Sequence, residues 1–250
     1  MIFTDAVVSA AQAHAREAYP QESCGIVVGG QYMRCRNIAE DPTQDFAIHP
    51  ADYKNAIRTG KMQAIVHSHP NGPLYPSKMD MIGQMKSDLP WAIIPVDEDR
   101  LGKPIIWGDD NIPPLLGREF VSGVTDCFAL IRDVFRLGRE GCALQGVEWP
   151  HAPHLISEQP RDPEWFKQGE DLYIDGMAGE GFTEVATSDV RPGDVFLLKW
   201  HSDKFNHGGV LLTQDTIAQH FPGRLSRREP AGLWARQAEM WIRYTGKADA

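Results

Sequence analysis

The sequence is poor in cysteine, in positive charge and in long apolar runs, and each shortage narrows what the chain can be. Only four cysteines occur in 250 residues, Cys24, Cys35, Cys127 and Cys142, and they are irregularly spaced. Such spacing does not build a disulfide framework, so each reads as a buried apolar residue or a reactive thiol of a protein made and folded in a cytoplasm. Lys and Arg number 25 against 34 Asp and Glu, a net charge of -9. A phosphate backbone requires a basic surface to displace its counterions, so no nucleic-acid partner is expected, and an anionic membrane surface is disfavoured equally. No apolar run approaches the ~20 residues of a membrane span, so no membrane insertion is expected. Nor does the N-terminal segment resemble a signal peptide. Residues 3–19 are interrupted by Asp5, His14, Arg16 and Glu17 and read as an amphipathic helix.

What is present reads as two folds in one chain. A hydrophobic fraction of 42% and seven tryptophans suit globular structure, and 250 residues suffice for two small cores. The first half alternates. After the opening helix come strands expected at 24–29, 64–69, 91–96 and 104–107, with helices at 53–59 and 79–86, an α/β pattern. Gly108-Asp109-Asp110-Asn111-Ile112-Pro113-Pro114 breaks it and reads as a linker. Beyond it a helix at 127–137, striped with Phe128, Ile131, Val134 and Phe135 and ended by Gly138, precedes strands expected at 194–199, 208–212 and 217–221. That order is α+β. No internal repeat links the halves, so the expected domains are 1–110 and 114–250.

Two clusters carry chemistry. His67-Ser68-His69 ends an expected strand, where side chains two apart point the same way and can converge on one ion. After a Pro/Gly loop, Ser77 suits an N-cap and Asp80 falls in the first helical turn. A plain capping box explains that pair; the same geometry would also hold a carboxylate beside the two imidazoles, the three-ligand set of a catalytic zinc with a position left for water. In the second half Thr125-Asp126-Cys127 opens a helix, where unpaired N–H groups favour thiolate. Most free cysteines are inert and buried, and Cys142, expected in a loop, is the comparison. His207 starts a strand. With a hairpin loop at 213–216, Gly209 would face His220, and His207 and His220 would share one sheet face, giving a Cys127–His207–His220 arrangement; a slip of one residue would turn His220 away. His14, His49, His151, His154 and His201 have no comparable setting.

Glu22-Ser23-Cys24-Gly25, His67-x-His69-Pro70 and Ser77-x-x-Asp80 together resemble the motif of the JAMM (JAB1/MPN/Mov34) metallopeptidases over residues 1–107. The resemblance implies a mixed sheet flanked by helices, Zn2+ on His67, His69 and Asp80, Glu22 as general base, and Ser77 stabilising the tetrahedral intermediate. Asp126-Cys127-Phe128-Ala129-Leu130-Ile131, Arg191-Pro192-Gly193-Asp194-Val195 and Asn206-His207-Gly208-Gly209-Val210 resemble the NlpC/P60 cysteine peptidases over 114–225. That resemblance implies a papain-like α+β fold, its cysteine-bearing helix packed on an antiparallel sheet, and cleavage of D-γ-glutamyl bonds in peptidoglycan stem peptides. Phe128-Ala129 stands where Ser-Gly is common and Gly208 where a branched residue is usual, which puts substrate preference in doubt. The order of the two modules is similar to that of phage tail-assembly peptidases. By that resemblance the chain would partner other tail-tip proteins, form in the host cytoplasm, travel in the virion tail and act at the cell wall or periplasm. A tail-assembly processing protease run by the zinc domain, and a structural tail-tip component with vestigial sites, remain as alternatives.

Overall fold

A computed structural model describes residues 1–177 and 179–246. The chain divides into two compact units, Met1–Asp110 and Asn111–Ala250.

In the first unit, helix α1 (Asp5–Ala18) is capped by the Thr4 hydroxyl, which accepts the Val7 N–H. Strands β1 (Cys24–Val28) and β2 (Gln31–Cys35) form a hairpin around Gly29-Gly30, both at positive φ. Helix α2 (Pro50–Thr59), strand β3 (Met62–Pro70), helix α3 (Lys78–Ser87) and strands β4 (Trp91–Val96) and β5 (Ile105–Trp107) complete a five-stranded sheet of order β2-β1-β3-β4-β5. Only the β3–β4 pair is parallel, α3 being its crossover. Val7, Ala11 and Ala15 of α1 pack on one sheet face against Val27, Ala64, Val66 and Ile94. Alternation therefore sends His67 and His69 to the other face, with Cys24, Ile26 and Ala56. Every element expected in this half is present. Strand β2 was not foreseen, because Gln31-Tyr32-Met33-Arg34-Cys35 mixes polar and apolar residues at an edge.

The second unit has α4 (Cys127–Leu144), α5 (Leu172–Met177), β6 (Phe182–Val185), β7 (Val195–Leu198), β8 (His207–Thr213), β9 (Thr216–Gln219), β10 (Arg227–Pro230), α6 (Ala231–Trp234) and β11 (Met240–Tyr244). Its sheet is antiparallel throughout, in the order β10-β9-β8-β7-β11-β6. Among the described residues six strands stand where three were expected, since β6, β10 and β11 are short or carry charges that hide the period-two signal. Leu130, Ile131, Val134 and Phe135 of α4 bury against Val195, Leu197, Val210 and Leu212. The opposite face packs Phe196, Leu211, Ile217 and Trp241 on Ala231 of α6.

Gly138 does not end the helical segment as expected. It interrupts it at φ 61, where a Cβ would lie 2.4 Å from the Pro153 nitrogen, and helix resumes beyond. Cys142 consequently lies in the continuing helix rather than in a loop, fully buried with its thiol donating to the Val134 carbonyl at 3.4 Å.

Candidate metal centre and cysteine–histidine region

The first cluster assembles from short-range geometry. His67 and His69 lie two apart on β3 and their Nε2 atoms approach to 3.1 Å. Asp80, in the first turn of α3, puts Oδ1 3.3 Å from His67 Nε2 and Oδ2 3.5 Å from His69 Nε2. Two zinc ligands at ~2.0–2.1 Å in a tetrahedral arrangement would stand about 3.3 Å apart, so the donor set has the right kind and spacing. His69 Nδ1–H donates to the Pro73 carbonyl at 2.8 Å, which leaves Nε2 as the lone pair. His67 is fully enclosed, stacked on Phe46 with ring centroids 4.4 Å apart, and its Nδ1 has no partner.

The capping box expected at Ser77 is present and does both jobs at once. Ser77 Oγ accepts the Asp80 N–H at 3.0 Å, while Asp80 Oδ2 accepts the Ser77 N–H at 2.8 Å and its hydroxyl at 2.7 Å. Ser77 thus first positions Asp80, and donating to an oxyanion would require its O–H to leave that carboxylate. Glu22 lines the same groove, and its neighbour Ser23 is tied to Ser68, the residue between the two histidines. Ser68 Oγ accepts the Ser23 N–H at 2.8 Å, and the Ser68 N–H donates to the Ser23 carbonyl at 3.0 Å. Burial pushes the Glu22 carboxyl up to about 7, opposed by His69 and reinforced by Asp80 and Asp45. Burial alone would also raise Asp80, but its interactions with His67, His69 and the Ser77 hydroxyl hold it well below the usual carboxylate range. Glu22, Asp45, Phe46, His69, Ser77 and Asp80 line one groove of about 520 Å3.

In the second unit the expected residues do not meet. Gly209 pairs with Gln219 and Val210 with Ala218, one residue off the register that would have paired Gly209 with His220. A bulge between Leu211 and Thr213 absorbs the difference. His207 and His220 therefore point to opposite faces, and the expected third member is replaced. His207 Nε2 lies 2.9 Å from Gln219 Oε1, a partner that only the bulged register brings to it. His220 instead donates from Nε2 to the Arg224 carbonyl at 3.1 Å and sits edge-on to Phe120.

Cys127 is at the first helical position of α4, as expected, but its surroundings disfavour thiolate. Burial pushes it up to about 11, and the neighbouring Asp126 charge adds to the rise. The helix end is already occupied: Asp126 caps the Ala129 N–H at 2.9 Å and is itself held by Arg161 through two 2.8 Å bonds. The Tyr173 hydroxyl donates to Cys127 Sγ at 3.3 Å, and no hydrogen bond joins Cys127 to His207 among the described residues. The other histidines are structural: His151 Nε2 bonds the Gly193 carbonyl at 3.1 Å, and His154 Nδ1 the Tyr244 hydroxyl at 3.0 Å.

Residues 4–102 match Prok-JAB, the prokaryotic homologs of the JAB domain. The "Tail tip assembly protein K" of Escherichia phage N15 is 32% identical over 95% of this chain and 93% of its own length. Its counterpart in Escherichia phage lambda is 33% identical over 78% of this chain and 85% of its own. The chain belongs to the tail tip assembly protein K family. Within that family likeness, the JAB match covers the unit that holds His67, His69 and Asp80. Among solved structures, protein DSY2949 of Desulfitobacterium hafniense is similar at 26% identity over 41% of this chain and 78% of its own, with a TM-score of 0.33, too low to bear on the fold.

Proposed function

We propose that the chain serves phage tail-tip assembly and that its first unit is a zinc-dependent peptidase or isopeptidase acting on tail components. The observation that carries this reading is the convergence of His67, His69 and Asp80, the last two lining one groove with Glu22. Those three residues would hold the ion; bound there, zinc supplies Lewis-acid polarisation of water and of the scissile carbonyl. The remaining work belongs to side chains. Glu22, held near neutrality by burial, takes a proton from the attacking water and returns it to the leaving amine. Ser77 keeps Asp80 in place and, once its hydroxyl is released, donates to the oxygen that gains charge. Phe46 and Trp91 shield the His67 imidazole from bulk water.

The test combines metal content with turnover. Purified wild type is expected to bind one zinc and to cleave co-expressed tail-tip proteins, with cleavage lost on chelation and restored by Zn2+. His67→Ala is expected to lose both. A folded wild type that takes up no zinc would sink the proposal, and zinc binding without cleavage would favour a structural tail-tip role.

A second reading concerns the second unit: a wall peptidase cutting D-γ-glutamyl bonds of peptidoglycan stem peptides with Cys127 and His207. The position of Cys127 at a helix start and the pairing of His207 with Gln219 favour it. It requires the thiol to leave Tyr173 and His207, which shares the α6 face of the sheet with Leu211 while α4 packs on the other, to be brought round to it. Digestion of purified Gram-negative peptidoglycan by wild type, Cys127→Ala and a chelated sample decides: products absent only with Cys127→Ala support it, and products absent from folded wild type overturn it.

A further inference from the structure

His207 is tied to more than Gln219. Gln219, buried on β9, donates its Nε2–H2 to Glu229 Oε2 on the neighbouring strand β10. Glu229 Oε2 also accepts the Trp234 Nε1–H at 2.5 Å, and Glu229 Oε1 pairs with the Arg227 guanidinium. Indole N–H and guanidinium are donors only, and a carboxylate between them is an acceptor only. The end of the Gln219 amide that faces Glu229 must therefore be its NH2. Its oxygen then faces His207, and a carbonyl oxygen 2.9 Å from Nε2 demands a proton on Nε2. Phe221 stacks on the imidazole with centroids 3.7 Å apart, and Phe196 and Trp234 complete the wall, so the ring is not free to turn over. Nδ1 makes no hydrogen bond to any described residue.

We propose that Glu229 is a positioning residue: acting through Gln219, it holds His207 in the Nε2–H form and presents the Nδ1 lone pair as a proton acceptor. The acceptor suits a thiol or hydroxyl brought to the start of β8, and its use in catalysis rests on the cysteine–histidine reading of this unit; the relay does not. Burial independently keeps the ring neutral, pushing His207 down to about 4. Two donors on Glu229 besides the amide explain why the relay ends there: the carboxylate is supplied with partners of its own and has no need to draw a proton from the chain of bonds.

The experiment is long-range 1H–15N NMR on the full-length protein at pH 7.5, with His207 assigned from His207→Gln. Wild type should show Nε2 protonated and Nδ1 unprotonated. In Glu229→Gln, nearly the same shape, the amide of Gln219 is no longer dictated, and the Nε2–H proton should exchange about tenfold faster. Gln219→Leu should lose its protection, and Gln219→Glu, which restores an acceptor, should regain it. An Nδ1–H tautomer in wild type, or an unchanged Nε2–H in a folded Glu229→Gln, overturns the proposal. On peptidoglycan, Glu229→Gln should lower kcat with KM little changed, whereas a merely structural role would leave the tautomer untouched. Absence of any Cys127-dependent cleavage with the tautomer as expected leaves the relay standing and overturns only the cysteine reading.

Discussion

The two units handle reactive side chains in opposite ways. In the first, His67, His69 and Asp80 converge, and two of them are held by a bond to the piece of chain beside them: His69 by Pro73 and Asp80 by Ser77. In the second, Cys127 and His207 belong to elements far apart in sequence, and each has found a partner other than the expected one, Tyr173 for the thiol and Gln219 for the imidazole. The difference is between geometry set locally and geometry set by a register. A strand puts residues i and i+2 on one face, and a capped helix puts residue N3 beside the cap, whatever the rest of the protein does. A histidine opposite a helix depends on one bulge in one hairpin.

If that contrast holds, the largest effect should come from the first unit's base. Glu22→Gln should keep zinc binding while lowering zinc-dependent cleavage by roughly 10²–10⁴-fold, the usual worth of a positioned proton acceptor. Steady-state kinetics with metal analysis would show it, and wild-type turnover in the variant would remove Glu22 from the chemistry. Next comes the buried ion pair at the start of α4. Arg161→Ala leaves Asp126 enclosed without its guanidinium, and denaturant unfolding should show a loss of about 3–5 kcal/mol. A loss below about 1 kcal/mol would mean that water reaches Asp126.

Acid should weaken the second unit by a comparable amount, divided between two residues. Burial holds both His207 and His220 down to about 4, below the 6.5 of an unconstrained imidazole. Between those values the unfolded chain binds more protons than the folded one, so stability is full above pH about 6.5 and falls as pH drops towards 4. Each histidine would contribute on the order of 2–3 kcal/mol across that window, and thermal melts with NMR titration of the two rings measure it. A flat profile would place the rings in contact with solvent. The smallest effect is expected at Cys127. With the Cys127 and Cys142 thiols both pushed up to about 11, iodoacetamide at pH 7.5 should modify Cys127 no faster than a free cysteine. A rate well above it would show that the unit visits an assembled cysteine–histidine state, and the contrast between the units would narrow.

How much of this was readable follows the same division. The helix and strand positions of the first unit could be read from His67-x-His69, the Ser77-x-x-Asp80 cap and the apolar runs of β1 and β4, because local sequence sets each of them. Strands β6, β10 and β11 escaped, since Arg227-Arg228-Glu229-Pro230 looks like a turn until β9 lies beside it. Cys142 was misplaced because Gly138 stops one helix without preventing the next. The reactive-looking setting of Cys127 was misjudged for a different reason. A helix start favours thiolate only where its N–H groups are unclaimed, and here Asp126, itself held by Arg161 35 residues away, accepts the Ala129 N–H and sets a negative charge beside the thiol.

The sequence by itself determined which residues could bind an ion and in what local geometry: two imidazoles two apart on a strand, and a carboxylate fixed by its own cap. It also determined the acidic character of the chain and the start of α4 at Cys127. Tertiary structure alone decided what each imidazole and thiol faces. A single bulge between Leu211 and Thr213 exchanged His220 for Gln219, and a neighbouring strand supplied Glu229 to hold it. Side chains alternate along a strand, so one residue of register changes every partner, and nothing in the hairpin's own residues announces where the extra residue will be absorbed.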